Sequence, residues 1–260
     1  VDRIFREECY RSDTNPEDDA PISRDRIFLA NNFGESSQAK HYVLARIIKL
    51  FPKNIRNKIE EFGVKLEDWL IFAVFHEITH DYSFTVHKGV KEYMKLNSVG
   101  NILKDMFLFW EKKQEYRSVL EHGYFRREKV RSIGHKSNIT EKNLKETELY
   151  EWFDEGVTDK VAFEMVEKYR GYHPEAISRE DLEKMKKKMY SPEEKTGHGR
   201  AMMLVDKAIA DISRVSGVAE NVVWEAVKRG KFGKENFNDE KTLRMLQAGL
   251  PSEVYHKLIK

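Results

Sequence analysis

The run Trp69-Leu70-Ile71-Phe72-Ala73-Val74-Phe75, followed at once by His76-Glu77-Ile78-Thr79-His80, constrains this chain more than any other segment. Seven consecutive apolar residues leave no polar face, so a helix from about Leu66 to about Tyr82 has to be buried inside a domain. Residues four apart on an α-helix stand one above the other, which puts both imidazoles on one face of that helix. Buried imidazoles beside a carboxylate are costly without partners, and a single metal ion would satisfy both. Glu77 is one step round the helix from His76, beside the open position of such a metal and not on it. That is where a general base belongs.

A second constellation lies downstream in Trp152-Phe153-Asp154-Glu155-Gly156-Val157-Thr158-Asp159, where Glu155 and Asp159 are again four apart on one helical face. Glu148 and Glu151 fall on nearly the same face, so a row of surface acids is the competing reading. Two neighbours favour Glu155: Gly156 permits close approach of another helix, and Asp159 supplies a carboxylate able to hold a ligating imidazole. With both motifs the chain resembles the gluzincin metallopeptidases, the thermolysin-like enzymes in particular. The resemblance implies a zincin-like fold in which His76, His80 and Glu155 ligate Zn2+, Glu77 acts as base, and Asp159 orients a ligand histidine. It also implies an oxyanion donor, a His or Tyr beyond the third ligand. His198, after a glycine and ahead of a helix, is the first candidate and Tyr190 the second, with Tyr172 and His173 left open. A metzincin would need Gly and His where Ser83 and Val86 stand, and His87 misses by one residue. No Gly-Thr-rich aspzincin signature follows.

Lys and Arg number 46 against 44 Asp and Glu, a net charge of +2, which points to neither nucleic acid nor a membrane surface. No apolar run approaches the ~18 residues needed to span a bilayer. The expected partner is therefore a peptide or protein substrate, with no nucleic acid, no membrane span, and the oligomeric state open. The single Cys9 excludes an internal disulfide, which fits the cytoplasm somewhat better than secretion and excludes neither. A start at Val1-Asp2-Arg3 reads as a truncated or processed end.

The expected fold class is α+β, mainly helical, with a small sheet above the active-site helix. Residues 1–25 read as a polar tail or loop, and 26–260 as the catalytic domain. Within it, 26–82 form an N-terminal lobe with the active-site helix, 83–140 an insertion, and 141–260 a C-terminal helical lobe carrying the third ligand. The insertion follows from the 75 positions separating His80 from Glu155, more than is usual in thermolysin-like enzymes. Arg26–Asn31 is the best strand candidate and the edge along which a substrate strand would lie. Helices are expected at about 36–51, 53–62, 101–119 and 140–169, from Ser178, from Ser191 and from Ala201, with a loop over Tyr124–Lys136. The basic run Lys184–Lys188 reads as the solvated side of a helix whose Leu182, Met185 and Met189 face inward.

Together these features predict zinc-dependent hydrolysis of peptide bonds by a metal-activated water, with Glu77 taking the proton. Two alternatives stand beside that reading. A zincin-fold binding or regulatory module would keep the metal without turnover, against which the intact Glu77 argues. A helical interaction protein in which the motif is coincidence predicts no bound metal.

Overall fold

The computed structural model describes residues 26–30, 39–42, 47–83, 85–93, 114–133, 144–149, 151–191, 197–217 and 219–232. Strands β1 (Ile27–Leu29), β2 (Ala39–Tyr42) and β3 (Ile47–Leu50) form a three-stranded sheet in the order β1-β3-β2, with β1 parallel and β2 antiparallel to the central strand. The helix expected over 36–51 is thus replaced by two strands. The reason is visible in β3, where Ile48 and Leu50 are buried while Ile47 and Lys49 are only half-buried. That alternation has a period of two, and the adjacent β-branched Ile47 and Ile48 suit a pleated surface better than a helix. The strand expected at Arg26–Asn31 is present as β1, on the edge of the sheet away from β2.

Helix α1 (Pro52–Phe62) begins at Pro52 and ends at Gly63, whose φ of 65° places it in the left-handed region that stops a helix. Helix α2 (Leu66–Asp81) carries the histidine pair and is buried over most of its length. Its amino end is held from another part of the chain. Asp181 of α4 (Arg179–Met189) accepts from the Lys65 backbone N–H at 2.9 Å, and Asp68 of α2 accepts from the Ser178 N–H at 3.2 Å. Each helix supplies the carboxylate that satisfies an orphan donor at the start of the other. As expected, α4 buries Leu182, Met185 and Met189 and exposes Lys184, Lys187 and Lys188.

Strands β4 (Thr85–Tyr93), β5 (Gln114–His122), β6 (Phe125–Ile133) and β7 (Leu144–Leu149) form an antiparallel meander in chain order. This sheet overturns three expectations: residues 114–119 are strand and not helix, the loop expected over 124–136 is largely β6, and the helix expected from 140 starts only at 151. Residues 101–113 lie outside the described part. In the backbone register Glu121 stands opposite Arg126, and Arg127 and Lys129 stand opposite Glu148 and Glu146.

Helix α3 (Glu151–Tyr172) follows β7 and packs against α2 on one side and α5 (His198–Ser216) on another, with α6 (Glu220–Phe232) also against it. Phe72 of α2 meets Phe163 of α3 with ring centroids 4.5 Å apart. The close approach expected at Gly156 is made to α5: a methyl group there would lie 2.4 Å from the Ala201 carbonyl oxygen. Among the described residues the protein is mainly helical with two sheets, and no helix is long and apolar enough to cross a membrane. The helix start expected at Ser191-Pro192, the acidic segment 11–20 and Cys9 belong wholly or partly to residues outside the described set.

Candidate metal centre

The packing of α2 on α3 brings the two sequence motifs into contact. His76 and His80 project from α2 toward Glu155 in the second turn of α3. The Nε2 atom of His76 lies 3.4 Å from one Glu155 oxygen and that of His80 lies 3.4 Å from the other. All three ligand atoms fall within 4.8 Å of one another. Two ligands bound to a tetrahedral zinc at about 2.0–2.1 Å are themselves about 3.3–3.4 Å apart, so each His–Glu separation is compatible with a shared ion, although the two histidines face different oxygens of Glu155. Two imidazoles and one carboxylate are a donor set able to hold a divalent metal ion. Glu148 is in β7, and Glu151 is the exposed first residue of α3.

Burial is uneven around the cluster. The side chains of His76 and His80 are each 11% exposed, while those of Glu155 and His198 retain 29% and 32%. Among the described residues, the side bounded by Glu155 and His198 is therefore the more open one. Glu77 occupies the step of α2 next to His76.

Behind the ligands stands Asp159, 1% exposed and one turn beyond Glu155. One of its oxygens is 2.8 Å from Nδ1 of His76 and the other 2.8 Å from Nδ1 of His198. A carboxylate accepts only, so both Nδ1 atoms are donors, which leaves Nε2 of His76 free to face Glu155. His198, the first residue of α5, packs against His76 with ring centroids 5.8 Å apart. The structure thus brings Asp159 and His198 to the three candidate ligands.

The charges of the cluster act on one another. Burial pulls the His76 imidazole down, but the Asp159 and Glu155 carboxylates outweigh it and hold its pKa well above the ordinary value. His198 follows the same balance against Asp159 and is pushed up to about 9. His80 moves down, from burial first and from the nearby Lys231 and His76 charges, with Glu155 opposing. Burial works against the ionised Glu155 and Asp159, yet the surrounding imidazoles keep both below the usual carboxylate range.

The remaining donor candidates have contacts of their own. Tyr190, which follows α4, accepts a 3.4 Å hydrogen bond from Lys160, and that lysine also pairs with Asp206 and lies 5.2 Å over the Trp224 ring. Burial raises the Tyr190 phenol; Lys160 opposes this, while Asp206 and Asp159 add to it. Tyr172 is the exposed last residue of α3, some 17 residues or about 25 Å along the helix from Glu155. His173 follows it and packs on Tyr169.

Sequence reasoning passed over Asp154, Lys231, Gly123 and Tyr124. Asp154, 2% exposed, accepts from Lys231 at 2.7 Å and from the Tyr124 backbone N–H at 2.7 Å, and lies 3.8 Å from Nδ1 of His80. Its place directly before Glu155 was the only available signal. The search for relatives adds nothing to this geometry: no protein-family model, curated protein or solved structure matches the chain.

Proposed function

We propose that the protein is a zinc metallopeptidase of gluzincin type, with His76, His80 and Glu155 as ligands and Glu77 as general base. The observation that carries this reading is the pair of 3.4 Å separations between the histidine Nε2 atoms and Glu155, with a buried carboxylate one helical step away. Zinc held by these donors would supply a Lewis acid and would lower the pKa of an attacking water toward ~7. Glu77 accepts the proton from the attacking water and returns it to the departing amine. Asp159 holds Nδ1 of His198, and in this reading the other ring nitrogen, Nε2, donates to the developing oxyanion. Its raised pKa keeps that donor protonated at neutral pH.

A substrate strand is best placed along β2, not β1 as the sequence suggests. Among the described residues β2 is an edge strand of the three-stranded sheet, and it is the strand of that sheet packed against α2. An extended peptide added there would use main-chain hydrogen bonds and accept varied sequences.

The decisive experiment measures metal content by mass spectrometry in wild type, His80→Ala and Glu155→Ala, alongside hydrolysis of a quenched fluorescent peptide library. Near one zinc per wild-type chain, lost in both variants, with hydrolysis that a chelator stops, is the expected result. A folded wild type that takes up no zinc on soaking refutes the metal reading, and zinc without hydrolysis refutes the peptidase reading.

A further inference from the structure

His76 has its carboxylate in Asp159 at 2.8 Å; Asp154, directly before Glu155 in the chain, lies 3.8 Å from Nδ1 of His80. We propose that Asp154, locked between Lys231 and the β5–β6 turn, is the positioning carboxylate for His80, so that α6 and the four-stranded sheet set the geometry of the metal site. The inference rests on the metal reading above and concerns residues outside both motifs.

Three elements converge on this one carboxylate. From α6, Lys231, which is 0% exposed, gives its ammonium to Oδ2 at 2.7 Å. From the β5–β6 turn, the Tyr124 backbone N–H binds Oδ1 at 2.7 Å. The turn is itself anchored, since the Tyr124 hydroxyl donates to the Val227 carbonyl of α6 at 2.7 Å and its ring stands edge-on to Phe153. Gly123 has a φ of 55°, and a methyl group there would meet Asp154 Oδ1 at 2.6 Å and Lys231 Nζ at 2.9 Å. Only glycine lets the turn sit this close.

The oxygen bound to Lys231 is also the one 3.8 Å from Nδ1 of His80, whose Nε2 faces Glu155. At 3.8 Å this contact is an electrostatic one and not the 2.8 Å hydrogen bond that Asp159 makes to His76; a negative charge on that side favours a proton on Nδ1 and leaves the Nε2 lone pair toward Glu155. Stability alone gives no reason for such a pair. A buried ion pair costs desolvation that its attraction barely offsets, and apolar replacement of both members is often neutral or stabilising. Its position against a ligand histidine does give one: Lys231 offsets the charge of Asp154 and prevents the carboxylate from swinging onto the metal itself.

The test uses the double variant Asp154→Asn/Lys231→Met and the single variant Gly123→Ala, each compared with wild type. The double variant removes both charges together and keeps an acceptor for Tyr124. Gly123→Ala leaves every charged residue in place and displaces the carboxylate by contact. Zinc affinity is measured by competition with a chromophoric chelator, the visible absorption of the Co(II)-substituted proteins reports coordination geometry, and the melting temperature is followed without metal. The expected result is a 10–100-fold loss of zinc affinity with shifted Co(II) bands in both variants, the double variant melting within a few degrees of wild type. If either variant folds and keeps wild-type zinc affinity and Co(II) bands, the pair only supports the fold and the proposal is overturned. A wild type that binds neither ion overturns the metal reading, and this inference with it, which separates the two failures.

Discussion

Asp159→Asn is the substitution whose consequences the geometry fixes most tightly. In the wild type each carboxylate oxygen accepts from one imidazole at 2.8 Å, and the group is 1% exposed. An amide keeps one acceptor and turns the other oxygen into a donor facing an N–H. One charge-assisted hydrogen bond, about 1.5–3 kcal/mol, is lost outright, and the other falls to the neutral range of about 1 kcal/mol. The metal-free protein should therefore lose about 2–4 kcal/mol, or roughly 5–15 °C in melting temperature for a chain of this size. Zinc affinity should fall 10–100-fold, since Nδ1 of His76 is no longer held as a donor.

The pH dependence distinguishes this account from simple loss of packing. Asp159 lies below its ordinary 3.8, so its contribution is present above that pH and is lost as acid titrates the folded carboxylate. His198 is raised from 6.5 to about 9, so its contribution is complete below pH 6.5 and disappears as pH rises through 9. Thermal unfolding in the presence of a chelator should show the largest gap between wild type and Asp159→Asn between about pH 4 and 6.5, narrowing above 9. A gap of the same size at pH 5.5 and 10, or unchanged zinc affinity in a folded variant, would refute the reasoning.

Other perturbations probe separate parts of the site. Glu77→Gln should retain zinc and lose about 10²–10⁴-fold in peptide turnover, as measured by initial rates at saturating zinc. Because His76 is protonated near neutrality in the metal-free state, zinc uptake at pH 7 should release about one proton or more and tighten as pH rises; calorimetry in buffers of different ionisation enthalpy measures that number. Gly156→Ala would press a methyl group onto the Ala201 carbonyl oxygen and onto Val205, and neither α3 nor α5 can relieve this by rotating a side chain. The cost should be about 1–3 kcal/mol in thermal unfolding, with weaker zinc binding because Glu155 is the adjacent residue.

What the sequence made legible follows the range of the interactions. The two histidines are four apart, Glu155 and Asp159 are four apart, and helical periodicity alone puts each pair on one face. The boundaries of α1 and α2, the glycine stop at Gly63 and the inward face of α4 were legible for the same reason. The four-stranded sheet was not. Its strands are rich in charge, and what makes them strands is pairing across register, such as Arg127 with Glu148, between segments with no local signature. In β3 the apolar residues fit a helical stripe and a strand alternation equally well on paper, and tertiary pairing with β1 and β2 chose the strand.

The same distinction separates the ligands from what holds them. Asp154 meets Tyr124 across 30 positions and Lys231 across 77, so no spacing rule could have joined them. A buried lysine is costly, and among the described residues Lys231 is the most completely enclosed charged group. Its partner adjoins the third ligand in sequence and the second ligand in space. If the metal reading holds, the motif residues specify which atoms can bind and the distant ones specify where those atoms stand. The sheet between the two motifs then acts on the site through its β5–β6 turn: the long separation of His80 from Glu155 includes the segment that positions Asp154, and shortening it at that turn would loosen His80 while leaving every ligand in the chain.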